Sequence, residues 1–371
     1  FRNQTQWTGR YFIRAEEEVS IKRSTRKLNR KIAVRNVNQY RKDPLAQKKL
    51  QPARKTIPIL LCSVSTMAKN WTIPTNLDLT GNTAIVTGAN TGLGFETAKA
   101  LVKHGATTIL GCRNLDKGEG AKKKILKALP GAEIVVIQLD LADFGSVHKF
   151  ADRFKENYDQ LDFLINNAGV IMPPYSETEQ GHELQWGVNY LGHFLLTSLL
   201  WDALSAASNA RVVQLSSIAH KWGKSSAFGS PIGRRDYDKQ RAYGNSKLAC
   251  LVFALELQRR IEDGGSKIQS LAAHPGIADT ELSRYLPGWM NALSPIFMRF
   301  LANTAKEGAQ PSLRAALDSD LPGGTYVGPG GFKEMKGSPV VVQPESFATA
   351  KNAGKELWEA SEKQIGTSFA V

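Results

Sequence analysis

The chain has 371 residues, enough for one large domain or two ordinary ones, and a formal net charge of +14. Residues 1–70 hold 17 Lys/Arg against 4 Asp/Glu and carry +13, which leaves +1 for the other 301. With a nearly neutral body, no nucleic-acid-binding argument can rest on the body, and Cys62, Cys112 and Cys250, which form no spaced pair, suggest no disulfide framework or metal knuckle.

The first methionine is Met67. Residues 1–66 therefore read as a basic, unstructured tail or a non-native upstream segment; a remnant of an organelle-targeting segment and an arm for anionic surfaces remain open. The longest apolar stretch there, Ile57–Cys62, falls far short of the ~20 residues that span a bilayer, so no transmembrane anchor is expected. Sparse, unpaired cysteines fit a reducing compartment. A cytoplasmic location is expected, or organellar import if the tail is genuine. The six histidines lack metal-ligand spacing, and no metal site is expected.

From residue 80 short apolar runs alternate with helical patterns. Strands are expected at Thr83–Thr87, Thr107–Leu110, Glu133–Gln138, Leu161–Asn166, Ala210–Leu215 and Ser266–Ala272, and a short one near Thr325–Val327. Helices are expected over 93–104, 115–129, 146–157, 178–204 and 241–261. This alternation predicts an α/β fold: a doubly wound, mostly parallel, Rossmann-type sheet of about seven strands with helices on both faces. No linker divides residues 67–371, which read as one domain with a local lid near 277–301. Its apolar residues, among them Leu282, Leu286, Trp289 and Phe297, suit a bulky lipophilic substrate or a buried helix pair.

Several positions carry chemistry. Between the first strand and helix stands Thr87-Gly88-Ala89-Asn90-Thr91-Gly92-Leu93-Gly94. Gly88 permits a tight turn, Gly92 removes a side chain where a pyrophosphate approaches, and Gly94 lets the helix pack closely. The free N–H groups and dipole at a helix start favour phosphate charge. Arg113, past the second strand, stands where an acidic residue would bind a ribose 2′-hydroxyl. It suits a 2′-phosphate instead, or is a plain solvated loop residue. Asp140 and Leu141 follow the third strand. The Asp140 carboxylate can meet an adenine amino group or cap a turn. Asn166-Asn167-Ala168-Gly169 ends the fourth strand with small residues that admit a cofactor to the backbone. Ser217 lies at the carboxyl edge of the fifth strand, where it can bind a reacting oxygen or cap a helix. Tyr243 and Lys247 stack at i,i+4 on a helix, and an ammonium beside a phenol favours the phenolate. A phenol so placed can pass a proton to or from a carbonyl oxygen. Asn189, inside an apolar helix, needs either a use for its amide or a backbone irregularity.

Together these residues resemble the short-chain dehydrogenase/reductase superfamily over about residues 78–363. The details at Gly111-Cys112-Arg113, Asn189–Phe194, Ser246–Ala249 and Gly323–Pro329 look closer to its retinol dehydrogenase, WW-domain oxidoreductase and protochlorophyllide reductase-like branch. The resemblance implies a catalytic tetrad of Asn189, Ser217, Tyr243 and Lys247. It implies dinucleotide contacts from Gly88, Asn90, Thr91, Gly92, Leu93, Gly94, Arg113, Asp140, Leu141, Asn167, Ala168, Gly169, Tyr243 and Lys247, and from Pro275, Gly276 and Thr280 after the sixth strand. NADP(H) is the preferred cofactor, with NAD(H) left open. The implied reaction interconverts an alcohol and an aldehyde or ketone by hydride transfer, with a tyrosine as acid/base. A weakly catalytic dinucleotide-binding scaffold or redox-responsive regulator is the alternative. The helices around 182–204 and 241–261 either form a homodimer face or pack within the chain. The 26-residue step from Ser217 to Tyr243 exceeds the roughly dozen of compact members, so residues 219–240 are expected to bulge near the site.

Overall fold

The computed structural model describes residues 71–228, 232–277 and 303–371. The tail, the lid region from 278 onward and Thr280 lie outside these residues.

Strand β1 (Thr83–Thr87) is buried along its whole length, as a strand covered on both faces must be. Alternate residues feed opposite layers. Ile85 joins the core of Ile109, Phe150, Phe154, Tyr190, Phe194 and Trp358. Ala84 and Val86 join Leu101, Leu110, Ile125 and Val213 on the other face. The elements α1 (Gly92–Lys103), β2 (Thr107–Cys112), α2 (Leu115–Ala128), β3 (Ile134–Gln138), α3 (Phe144–Lys155) and β4 (Phe163–Asn166) follow in the expected alternation.

The expected long helix over 178–204 is instead broken. Residues 178–183 form a turn closed by a Glu177–Glu183 bridge. One helical turn, α4 (Leu184–Trp186), leads into a π-helix (Gly187–Leu191), then α5 (Gly192–Leu199) and α6 (Trp201–Ala206), which part at Leu200. The causes are contacts with segments distant in sequence. Asn189 in the π-turn turns its amide onto the backbone of Val170 rather than to solvent. A Cβ on Gly192 would lie 2.7 Å from the Leu141 carbonyl, so only glycine lets the helix press on the loop after β3.

After β5 (Arg211–Leu215), the described residues 218–228 and 232–236 include short 3-10 turns, and the long helix α7 (Lys239–Gly264) follows, started by the Asp238 side chain. β6 (Gln269–Ala273), α8 (Ala305–Gly308), α9 (Gln310–Leu317), β7 (Tyr326–Pro329), β8 (Pro339–Val341) and α10 (Lys351–Ile365) complete the described chain. Among the described residues the sheet has eight strands, in line with the expected mostly parallel sheet of about seven, in the order β3-β2-β1-β4-β5-β6-β7-β8. β8 is the addition, pairing antiparallel to β7 at the edge. Three residues beginning with proline give no alternating pattern to read.

Helix α10 lies on α7 and the π-turn. Trp358 stacks on Phe369 at 4.9 Å and meets Phe194 edge-on at 5.0 Å, and Tyr190 Oη lies 2.5 Å from Ser361 Oγ. Part of the apolar surface of α5 and α7, read from sequence as a homodimer face or internal packing, is therefore covered by the chain's own C-terminal helix. Among the described residues no helix is long and apolar enough to cross a membrane.

Candidate active site

The sheet order reverses between β1 and β4, and the chain segments leaving the carboxyl ends of the parallel strands gather there. Gly88 and Gly92 hold positive φ angles of 67° and 59° in the loop leaving β1. A Cβ on Gly94 would stand 2.5 Å from Asn167 Nδ2 and 2.6 Å from the Gly88 carbonyl. Three glycines thus fold the loop back on itself and against the end of β4. Thr91 starts α1 without a side-chain cap, and the first turn has no acidic residue. The amino end of this 12-residue helix therefore keeps free N–H groups and uncompensated positive dipole. Asn90 and Leu93 flank it, half-buried. Free N–H groups and positive dipole at a helix start are chemically suited to a phosphate group.

Arg113 is exposed just beyond β2. Asp140 is half-buried after β3. Its Oδ1 accepts from Ala142 N at 3.0 Å, so the turn-capping role is present, and Leu141 is buried beside it. Cys112 ends β2 beneath the glycine loop. Burial pushes its thiol up to about 11, against a smaller lowering by the Ala89 and Asn90 N–H groups.

Thr87 is the hub of the site. Its hydroxyl accepts from the N–H groups of Asn167 and Ala168, each at 2.9 Å, and Asn167 Nδ2 donates to the Thr87 carbonyl at 2.7 Å. His193 Nε2 lies 2.8 Å from the same hydroxyl, and His193 Nδ1 lies 3.0 Å from the Asn189 carbonyl. A carbonyl only accepts, so Nδ1 carries the proton and Nε2 takes the Thr87 hydroxyl proton. Burial drives the imidazole pKa down to about 3, so the ring is neutral.

Asn189, Lys247 and Gly169 meet. A Cβ on Gly169 would lie 3.1 Å from Asn189 Oδ1 and 3.5 Å from Lys247 Nζ. Asn189 Oδ1 accepts from Val170 N at 2.7 Å, while Nδ2 donates to the Val170 carbonyl and to Ser246 Oγ, both at 3.0 Å. The buried Lys247 donates Nζ–H to the Leu215 carbonyl at 3.0 Å, and Ser216 Oγ donates to the Lys247 carbonyl at 2.7 Å. The end of β5 and α7 are thereby locked together. Tyr243 is buried one turn before Lys247. Ser217 is half-buried, its Oγ accepting from Ala219 N at 3.2 Å. Pro275 and Gly276 turn the chain after β6, and Gly276, at φ 72°, passes so close to the Met335 carbonyl that no side chain fits.

The structure thus gathers the described sequence-derived residues at one edge. It adds Thr87, His193 and Cys112 as supports that sequence reasoning did not assign. The signals were a threonine opening the glycine motif and a histidine four residues beyond Asn189.

The family model described as short chain dehydrogenase matches residues 82–291. This chain belongs to the short-chain dehydrogenase/reductase family. It is 41% identical to retinol dehydrogenase 12 of Mus musculus over 299 residues, 80% of this chain and 90% of that one. It is 38% identical to retinol dehydrogenase 13 of Homo sapiens over 300 residues, 79% of this chain and 87% of the other. Among solved structures, an uncharacterized protein from Mycobacterium paratuberculosis superposes with a TM-score of 0.67 at 36% identity, over 82% of this chain and 100% of that chain. Salutaridine reductase from Papaver somniferum does so with a TM-score of 0.51 at 26% identity, over 66% and 99%. The chain is an oxidoreductase of this family, which works with NAD(H) or NADP(H).

Proposed function

We propose that the protein is an NADP(H)-dependent oxidoreductase that interconverts a bulky lipophilic alcohol with its aldehyde or ketone. The observation that carries this reading is the lock between Lys247, the end of β5 and Asn189, beside an uncapped helix start in a glycine cradle. The residues fit a dinucleotide: Gly88–Gly94 and the amino end of α1 hold the pyrophosphate, Asn167–Gly169 and Pro275–Gly276 the nicotinamide half, and Asp140–Leu141 the adenine. Thr280, which the resemblance adds to the nicotinamide contacts, lies outside the described residues. Arg113, exposed and cationic, pairs with a 2′-phosphate and so selects NADP(H). When bound, the dinucleotide supplies or accepts a hydride.

The chain's own groups handle the rest. Ser217 orients the substrate oxygen, and Tyr243 gives it a proton or takes one away. Lys247 presents its charge on the same helix face and binds the ribose hydroxyls. Asn189 shapes the pocket through Val170 and orders a relay water. A lipophilic substrate is supported by the relatives named retinol dehydrogenases and by the apolar residues of 282–301. The buried free thiols Cys112 and Cys250 suit a reducing, cytoplasmic setting.

Titration with NADPH and NADH, followed by nicotinamide fluorescence, tests the reading before any substrate is known. Tight NADPH and weak NADH binding, then reduction of a lipophilic aldehyde, is the expected result. Tighter NADH binding overturns the role of Arg113. Tight binding with no turnover across a broad carbonyl panel supports a scaffold instead.

A further inference from the structure

Three segments meet beyond the carboxyl end of β4. The first is the loop that leaves Gly169. Three residues on, Met172 holds φ 49°, in the left-handed region that side chains other than glycine rarely occupy. Such a backbone persists only when its surroundings hold it. Here the second segment does so. Gln185, fully buried in α4, accepts from Met172 N at 2.8 Å. The third segment is residues 232–239, which precede Tyr243. Tyr237 Oη donates to the Pro173 carbonyl at 2.8 Å and accepts from Gln185 Nε2 at 3.1 Å. The other Gln185 amide hydrogen goes to the Lys239 carbonyl at 3.1 Å, at the start of α7. Burial, and secondarily Glu183, push the Tyr237 phenol up to about 12, so it remains a proton donor. Tyr175 packs edge-on against Tyr237 at 5.2 Å, and the Arg234 guanidinium lies 5.5 Å from the Tyr175 ring.

This clasp stands next to the chemistry. Three residues span at most about 10 Å, so Met172 is within that reach of Gly169, where Lys247 and Asn189 converge. Along α7, Lys239 precedes Tyr243 by about 6 Å of helix rise. The extra residues between Ser217 and Tyr243 therefore tie the loop after β4 to the start of α7, about one turn before Tyr243.

We propose that the clasp of Gln185 and Tyr237 on Met172 and Pro173 forms one wall of the substrate cleft, and that Met172 and Tyr237 set how wide a carbonyl compound the site accepts. This rests on the carbonyl-reductase reading above. Tyr237 is a positioning residue: it acts through the loop, holding Met172 in its kinked conformation.

The test uses the full chain, with Tyr237→Phe to remove only the hydroxyl and Met172→Gly to relax the kink and delete the side chain. For each, kcat and KM are measured with NADPH on hexanal and on a branched polyene aldehyde, and NADPH affinity is measured separately. The expected result is a tenfold or larger change in the ratio of kcat/KM between the two aldehydes, carried by KM, with NADPH affinity within twofold of wild type. An unchanged ratio in both variants overturns the proposal, as does an equal loss on both aldehydes with a parallel loss of NADPH binding. Binding of a fluorescent long-chain alcohol to the NADPH complex reads the same wall without turnover. Weaker binding in the variants supports the wall, and unchanged binding in both overturns it. Failure of the wild type to reduce either aldehyde counts against the reductase reading alone.

Discussion

Thr87 donates its hydroxyl proton to His193 Nε2 across 2.8 Å, and through His193 Nδ1 the link continues to the Asn189 carbonyl. One neutral imidazole thus joins the strand that opens the glycine loop to the π-turn that carries Asn189. Thr87 also holds Asn167 and Ala168, so four parts of the site share a single buried node.

The node makes stability depend on pH. In the unfolded chain His193 takes a proton below its ordinary value of 6.5, whereas the folded protein refuses it down to about 3. The unfolded state therefore binds more protons throughout that window, and stability falls as pH drops from 6.5 toward 3. At pH 5 the His193 share is about 2 kcal/mol. His182, His220 and His274, also depressed by burial, add to the same slope. Urea unfolding of wild type and His193→Gln between pH 7 and 5 isolates the share: the variant should lose about 2 kcal/mol less. Parallel curves would refute this assignment.

Gly94 and Gly120 make opposite predictions from one substitution. Alanine at Gly94 forces a methyl onto Asn167 and the Gly88 carbonyl. It should cost about 1–3 kcal/mol of stability and weaken dinucleotide binding. Gly120, inside α2, leaves open space where a Cβ would stand. Alanine there should stabilise the protein by up to about 1 kcal/mol with unchanged cofactor affinity. Thermal unfolding and NADPH titration of both variants check the pair.

Removing the Arg113 guanidinium should weaken NADPH alone. A charge-assisted pair is worth about 1.5–3 kcal/mol, or roughly 10- to 150-fold in Kd. Arg113→Ala should therefore lose NADPH affinity by that factor and keep its affinity for NADH. Equal effects on both would refute a 2′-phosphate contact.

Tyr243→Phe deletes the proposed proton donor and little else. Turnover should fall by about 10²–10⁴-fold with NADPH affinity retained. Lys247→Ala should lose both, because Lys247 Nζ also ties α7 to the Leu215 carbonyl. Wild-type-like turnover in both variants would sink the proposed roles.

Cys112 and Cys250 should resist alkylation at pH 8 in the folded protein. Burial raises both thiols, Cys112 to about 11, leaving little thiolate and no access for a reagent. Mass mapping after iodoacetamide, with and without urea, checks this; rapid folded-state labelling at either residue would contradict it.

The parallel strands were legible because most are short apolar runs bounded by turn residues, and burial on both faces demands such runs. The glycine motif was legible for a related reason: positive φ at Gly88 and Gly92 and the tight approach at Gly94 exclude other residues. The break at residues 184–206 was not. Gly187, Asn189 and Gly192 each weaken a helix, but only contacts with Val170, Thr178 and Leu141 turn that weakness into a π-turn. β8 and α10 escaped notice because neither belongs to the βαβ alternation that organised the reading.

Local pattern alone determined the α/β class, the sheet's parallel character and the residue types gathered at the carboxyl edge, since periodicity, turn chemistry and glycine conformations act within a few residues of chain. Tertiary structure alone decided which groups touch. Thr87 with His193, Lys247 with Leu215, and Tyr237 with Pro173 stand 106, 32 and 64 residues apart. Such pairs form only when packing the two helical layers on the sheet buries polar groups that must then find partners.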